Sequence, residues 1–213
     1  MNTLEKDLEP RTKRGVETKA KLVAAAEKVF AELGYHDASV VKITEAAGVG
    51  SGTFYLYFEG KQAIFEELVS DLNRRVRRAM GDASIHAKTR MDAEKAGFRA
   101  FFRFTAEHPA LYRIIRQAEF VAPESLRMHY TKIVEGYISG LTQAQEQGEI
   151  SQIDPEVAAW ALMGIGELIG MRWVLWEQDQ NQHKGEFSVP ETVLDQMMLL
   201  ISRGLAPIEG KTP

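Results

Sequence analysis

Residues 22–68 read LVAAAEKVFAELGYHDASVVKITEAAGVGSGTFYLYFEGKQAIFEEL, and the spacing of apolar side chains in this stretch decides the fold class. Leu22, Ala25/Ala26, Val29 and Leu33 form one helical stripe, closed by Gly34. Ser39 is placed to N-cap a second, short helix with Val40, Ile43 and Ala47 inward, closed in turn by Gly48. A third segment from Ser51 to Phe58 puts Phe54 and Phe58 on one face. A fourth helix starts near Lys61 and keeps Ile64/Phe65, Leu68, Leu72 and Val76 on one side. The second and third helices are separated only by Gly48-Val49-Gly50, the short glycine-bearing turn of a helix-turn-helix, with Val49 as its apolar pin. The third helix is too short to stand alone. Phe54 and Phe58 are placed to hold it against the first and fourth.

The residues left facing outward point to a phosphate-rich partner. Ser51, Gly52, Thr53, Tyr55, Leu56 and Tyr57 combine small size, hydroxyls and rings at the start of a helix, where donors and the dipole favour phosphate. Ser39 sits at a second helix start. Lys61 opposes the dipole of the helix it begins, so something else must reward it, and a phosphate would do so. On this reading Tyr55→Phe and Lys61→Ala weaken binding to all DNA sequences alike.

In combination, AAEKVFAELGY, SVVKITEAAGV, GTFYLYF and the following Lys61 resemble the N-terminal DNA-binding domain of the TetR family of bacterial transcriptional repressors. The resemblance covers residues 22–68. It implies an all-α homodimer with a variable C-terminal domain that binds a small molecule and dimerises, and it matches Ser39, Thr53, Tyr55, Tyr57 and Lys61 to positions that touch DNA, mainly its backbone. The candidate DNA-binding set is Ser39, Ser51, Gly52, Thr53, Tyr55, Leu56, Tyr57 and Lys61. Four residues depart from the family pattern. Gly50 and Gly60 stand where a Ser or Asn cap is common, and Ser51 and Leu56 where longer or polar side chains are common. The operator sequence is therefore not readable.

Outside this stretch, composition narrows the field. The chain has 213 residues, 26 Lys+Arg against 30 Asp+Glu, and no cysteine, which excludes disulfide scaffolds, Cys-bound metals and thiol nucleophiles. The start of the chain carries no apolar h-region, so no signal peptide is read and a cytoplasmic location is expected. The formal charge of −4 argues against nucleic acid when taken whole, but residues 1–80 carry +1 and the remainder −5. Arg11, Lys13 and Arg14 form a basic arm ahead of the first helix. Arg74, Arg75, Arg77 and Arg78 are read as closing the fourth helix, where cations suit the dipole. The five histidines form no HExxH, and neither a P-loop nor GxSxG occurs. No enzyme, metal or cofactor is expected. The domain reading is a flexible arm over 1–15, the helix-turn-helix domain over 16–60, a connecting helix over 61–80, and a ligand-binding and dimerisation domain over 81–213.

The second half is also helical, giving about nine helices in all. One runs from about Met91 to Ala106 with Ala93, Ala96, Ala100/Phe101 and Phe104 inward. Pro109, Pro123 and Asp154-Pro155 open others. Ser188 and Glu191 have capping-box spacing, with Pro190 in the first turn, and Asp179 to Glu186 reads as a loop. Val157–Trp176 is apolar apart from Glu167 and Arg172. A membrane span is disfavoured by both charges near mid-span, the abrupt Asp154-Pro155 start and the lack of a basic flank. A helix this apolar is buried on more than one side. By the resemblance it packs on a ligand cavity and on a partner subunit, with Gly166 and Gly170 letting another backbone come close and Leu194, Met198 and Ile201 completing the dimer interface.

Candidate ligand-binding residues are Phe101, Phe104, Tyr112, Phe120, Tyr130 and Tyr137 from the earlier helices, with Trp160, Met163, Glu167, Met171 and Trp173 from the apolar one. Such a lining suits an apolar ligand. Glu167 needs a partner in this setting. Arg172, roughly 140° round the helix, is not one; Arg113, Arg116 and Tyr137 are the candidates. The reading is a homodimeric repressor of palindromic double-stranded operator DNA, released when a small hydrophobic ligand shifts the fourth helix. Two alternatives stand beside it: a DNA-binding dimer gated by a protein partner, and a helical hydrophobe-binding protein without operator binding.

Overall fold

In the computed structural model, Pro10 and residues 12–176 and 189–207 are described. Arg11, Ser188 and the loop expected over Asp179 to Glu186 lie outside them. Among the described residues there are nine α-helices and no strand: α1 (Lys13–Asp37), α2 (Val40–Ala47), α3 (Ser51–Phe54), α4 (Lys61–Ser84), α5 (Arg90–Glu107), α6 (Ala110–Val121), α7 (Pro123–Glu146), α8 (Pro155–Gly170) and α9 (Glu191–Leu205). A π-helical turn, Met171–Leu175, continues α8. The chain forms two compact units, residues 1–72 with 113–126 and residues 73–112 with 127–213. Helices α4, α6 and α7 contribute residues to both.

In the first unit, local signals set the helix ends. Thr12 caps α1, its Oγ1 accepting from the Gly15 amide at 3.1 Å, so Lys13 and Arg14 belong to the first turn of α1 and not to an arm ahead of it. Gly34, at φ 74° and ψ 171°, kinks α1 before a last short turn, a conformation open to glycine and strained for other residues. The Tyr35 amide after the kink donates to Gln117 Oε1 of α6 at 2.6 Å. Ser39 caps α2 by accepting from the Lys42 amide at 3.2 Å. Gly48 ends it in the left-handed region at φ 67° and ψ 35°. The core gathers Leu22, Phe30, Ile43, Phe54, Phe65 and Leu68, all fully buried. Phe65 meets the Phe30 and Tyr35 rings edge-on at 5.1 and 5.2 Å, a favoured aromatic geometry.

The third helix is shorter than its spacing predicts. Its α-helical part ends at Phe54, and Tyr55–Tyr57 form a turn in which the Tyr57 and Phe58 amides both donate to the Phe54 carbonyl, at 2.9 and 3.0 Å. Phe54 and Phe58 remain buried, at 0% and 3% exposure, so the anchoring role holds without a continuous helix. α4, in contrast, runs on to Ser84. Arg74, Arg75, Arg77 and Arg78 are therefore mid-helix, and the macrodipole offers them nothing there.

The second unit packs around Phe98, Phe102, Leu141, Leu162, Val174 and Ile201. On α5 the buried face carries Glu94, Phe98 and Phe102, not Ala93, Ala96 and Ala100, which are half-buried. Because α5 contacts α8, the π turn and α9, more than one of its faces is apolar and a single stripe cannot be chosen from spacing. Asp154 caps α8 by accepting from the Glu156 and Val157 amides at 2.9 and 3.1 Å. Pro190 stands just outside α9 as its N-cap, with no side-chain capping bond. Pro155–Leu175 is long and apolar enough to cross a membrane by length and composition. In this fold its inner face, Ala158, Ala159, Leu162, Gly166 and Gly170, is buried.

Candidate DNA-binding and ligand-binding sites

The turn between α2 and α3 is fixed by backbone bonds, with the Gly48 amide donating to Glu45 O at 3.1 Å and the Val49 amide to Thr44 O at 3.0 Å. Ile43 and Thr44 are buried beneath it, and the Thr44 hydroxyl donates to Val41 O at 2.9 Å. On the other side Ser51, Gly52, Tyr55 and Leu56 are exposed and Thr53 and Tyr57 are half-buried. Leu56, at 60% exposure, is a large apolar side chain held in water. With only one α-helical turn in α3, a helix dipole has little part in what this face can bind. Its chemistry lies in hydroxyls, rings and backbone amides.

Lys61 is placed differently from the sequence expectation. Its ammonium donates to the carbonyls of Tyr35 at 2.7 Å, Ala38 at 2.9 Å and His36 at 3.3 Å. It also lies 4.3 Å from the centre of the Tyr35 ring. An ammonium has three donors, and all three are engaged at the end of α1. Lys42 adds a fourth contact, donating to Asp37 O at 2.9 Å. Two lysines thus neutralise the carbonyl end of α1, where cations are favoured. That interaction rewards Lys61 for its unfavourable place at the start of α4, with no phosphate required.

In the second unit, Glu167 finds its partner. The Tyr130 hydroxyl reaches both carboxylate oxygens, at 3.0 and 3.2 Å, so neither Arg113, Arg116 nor Tyr137 is needed. Arg113 instead directs its guanidinium to Ala31 O at 3.4 Å. Tyr112 directs its hydroxyl at the Glu167 carbonyl, 3.5 Å away. Burial raises its pKa, and the Glu167 charge adds to the rise. The Tyr130 ring lies 6.2 Å from Trp160, and Tyr112 lies 6.3 Å from Phe101. Met163 and Trp173 are partly buried against the core, with Met171 half-buried at the start of the π turn. The structure thus brings Phe101, Tyr112, Tyr130, Trp160 and Glu167 together around α8.

Three of the expected lining residues lie elsewhere. Phe104 packs on His108 at 4.5 Å, with the Arg75 guanidinium 5.6 Å away. Tyr137 lines a cleft beside Arg90 and Glu94. Phe120 is 85% exposed. The glycines expected at a subunit interface also face inward. A Cβ on Gly166 would lie 2.7 Å from the Phe98 ring, and one on Gly170 2.0 Å from the Tyr112 hydroxyl. Leu194, Met198 and Ile201 are buried in the same core. The faces that α8 and α9 leave exposed carry Val157, Trp160, Leu168, Leu199 and Leu200 instead.

One buried polar pair had no sequence signal at all. Asn73 Nδ2 donates to the His129 carbonyl at 2.9 Å and sits 3.2 Å from its Nδ1. Burial lowers the His129 pKa to about 4, which keeps the ring neutral.

The chain resembles known proteins over most of its length. The family model described as bacterial regulatory proteins, tetR family, matches residues 22–68. The HTH-type transcriptional regulator YdgC of Bacillus subtilis (strain 168) is 32% identical over 161 residues, 72% of this chain and 80% of that protein. The fatty acid metabolism regulator protein of the same organism is 29% identical over 164 residues, 74% of this chain and 84% of that protein. Among solved structures, the transcriptional regulator FadR from B. subtilis in complex with stearoyl-CoA has the same fold, with a TM-score of 0.72 at 22% identity over 87% of this chain and 98% of that one.

Proposed function

The chain belongs to the TetR family of bacterial regulatory proteins, and from that premise we propose that it is a homodimeric repressor released from its operator by a small hydrophobic ligand. The observation that carries this reading is the capped, glycine-closed turn joining α2 to α3, with Ser51, Gly52, Tyr55 and Leu56 exposed beside it. In this reading those four, with Thr53, Tyr57 and Ser39, meet the DNA, and Lys61 holds α1 against α4 behind them. Two copies bind half-sites about 34–36 Å apart, one helical turn of DNA. Such a protein works where the DNA is, in the cytoplasm.

The homodimer is supported by the unpartnered apolar faces of α8 and α9. Val157, Trp160 and Leu168 on the first and Leu199 and Leu200 on the second are 43–66% exposed, and exposed large apolar side chains of this kind suit an association surface. A two-fold pairing of these faces covers them.

The ligand proposed is a long-chain fatty acyl thioester of coenzyme A. Two facts favour it: the resemblance to a fatty acid metabolism regulator and to a regulator bound to stearoyl-CoA, and the aromatic and Met-rich surroundings of Glu167. Binding changes the course of α4, a continuous helix that contributes to both units. The test has two steps. In vitro selection from genomic fragments first isolates an operator, and fluorescence anisotropy then measures its affinity with and without stearoyl-CoA. Because coupling between two sites is reciprocal, operator DNA must weaken stearoyl-CoA binding by the same factor. Operator affinity unchanged at saturating stearoyl-CoA refutes the acyl thioester as effector, and failure to select any sequence refutes the DNA-binding role.

A further inference from the structure

Arg74, Arg77 and Arg78 are i, i+3 and i+4 on one helix, and like charges at that spacing repel by about 0.2–0.5 kcal/mol per pair. Lying mid-helix, they gain nothing from the macrodipole. All three lie in the second unit. The three arginines of α4 line a cleft with Arg90 and Glu94 of α5 and Lys132 of α7. Glu94, 3% exposed, is bonded to Arg90, whose Nε donates to it at 2.9 Å; that pair is balanced within itself. On the surface Arg78 pairs with Asp82 at 3.5 Å and Lys132 with Glu135 at 3.0 Å. Both of those pairs are water-exposed and weak.

The floor of the same cleft is apolar, built from Met80, Ala93, Ile133 and Tyr137, and its volume is about 340 Å³. Gly81, Gly97 and Gly136 also line it, and a Cβ on any of them would meet nothing within 4 Å. Small residues therefore leave room between the cations and the floor. A concave, cation-rimmed and apolar-floored site is built for an amphipathic anion. A straight DNA backbone, being convex, would touch only the rim.

We propose that this cleft binds a phosphate-bearing head group, with its cations on the phosphate oxygens and the attached apolar part lying over Met80, Ile133 and Tyr137. The inference rests on the proposed regulation by an acyl thioester only in assigning that head to the coenzyme half of the ligand. The anion site itself is tested separately. Full-length protein is titrated calorimetrically with coenzyme A, inorganic pyrophosphate and stearate, in ~50 mM and ~300 mM salt, where screening differs strongly. Coenzyme A is expected to bind with an affinity that falls with salt. Pyrophosphate binding separates a free phosphate site from one that needs the whole carrier.

Two variants discriminate. Arg77→Gln/Lys132→Gln removes two exposed charges and is expected to weaken coenzyme A roughly ten-fold. Gly136→Leu fills the cleft from an exposed helical position where an added Cβ meets nothing within 4 Å, and is expected to abolish coenzyme A binding with the fold intact. Coenzyme A bound equally by wild type and both variants overturns the site, as does no binding of coenzyme A or pyrophosphate by wild type. Loss of operator affinity in the double variant with coenzyme A binding unchanged also overturns it, since the cations would then face DNA. Operator affinity insensitive to stearoyl-CoA, with salt-dependent coenzyme A binding lost in the variants, overturns the proposed regulation and supports the site.

Discussion

Replacing Lys61 with methionine separates two roles that the same cation could have. Methionine keeps the unbranched stem and removes the charge. The ammonium makes two short charged hydrogen bonds, to Tyr35 O at 2.7 Å and Ala38 O at 2.9 Å, and a longer one to His36 O at 3.3 Å. Charged hydrogen bonds are worth about 1.5–3 kcal/mol each, and the Tyr35 ring contact about 0.5–1 kcal/mol. Removing a cation from the start of α4 returns about 0.3–1 kcal/mol. These terms share one group and do not add, so the net loss is about 2–3 kcal/mol. With an m-value of about 2–3 kcal/mol/M, the urea midpoint falls by about 1 M. The assay is urea unfolding at fixed protein concentration, because an oligomer's midpoint moves with concentration. Operator affinity is then measured against salt under conditions where the variant is folded. An unchanged midpoint together with a salt slope shallower by about 0.9 per protomer refutes the reasoning, since that slope counts phosphates neutralised.

Three further perturbations follow from the geometry. The folded His129 pKa of about 4 lies below the unfolded value of about 6.5, so the unfolded chain takes the proton first. The contribution is full above pH 6.5 and is lost as pH falls towards 4, by on the order of 3 kcal/mol; His129→Gln removes this dependence, and equal drops in urea midpoint between pH 7 and 4.5 for both proteins would contradict it. Gly170→Ala places a Cβ 2.0 Å from the Tyr112 hydroxyl, and with Tyr112 only 5% exposed the overpacking costs about 1–3 kcal/mol; a thermal midpoint equal to wild type rules that out. Leu168→Glu charges the exposed face of α8 and is expected to yield monomers in sedimentation velocity, whereas an undisturbed dimer moves the interface elsewhere.

Where a cap or a left-handed glycine marks a turn, the sequence shows it, because such signals depend on neighbours along the chain. Gly34, Ser39, Gly48 and the Asp154-Pro155 pair announce their turns by residue type alone. The length of α3 was not legible. Phe54 and Phe58 reach the core equally well from a helix or from one helical turn followed by a tight turn, so their spacing does not distinguish the two. Which face of α8 turns inward was also hidden. When a helix is apolar all round, the choice rests on what meets it, here Phe98 and Tyr112 against Gly166 and Gly170. Glu167 advertised its need for a partner, yet Tyr130, 37 residues away in sequence, is named only by the packing of α7 on its side.

The cations carry the same lesson in stronger form, because a charge in a sequence has a sign but no address. Lys61 and Lys42 lie beside the helix-turn-helix and invite a phosphate, yet their ammonium groups close the carbonyl end of α1. The arginines of α4 invite a helix-terminus explanation, yet the helix continues past them to Ser84 and they converge on a cleft with Lys132. In both places the deciding quantity is a backbone boundary: where α1 stops determines what Lys61 can reach, and where α4 stops determines what Arg74, Arg77 and Arg78 cannot. The face beside the turn is then left with Ser51, Thr53, Tyr55, Leu56 and Tyr57, which contribute hydroxyls and rings without charge. Contacts of that kind fix position on a phosphate backbone without releasing counterions in proportion. On the proposed reading, selectivity at this face comes from shape and from the few side chains that reach base edges, with Leu56 suited to a thymine methyl, and bulk positive charge has little part in it.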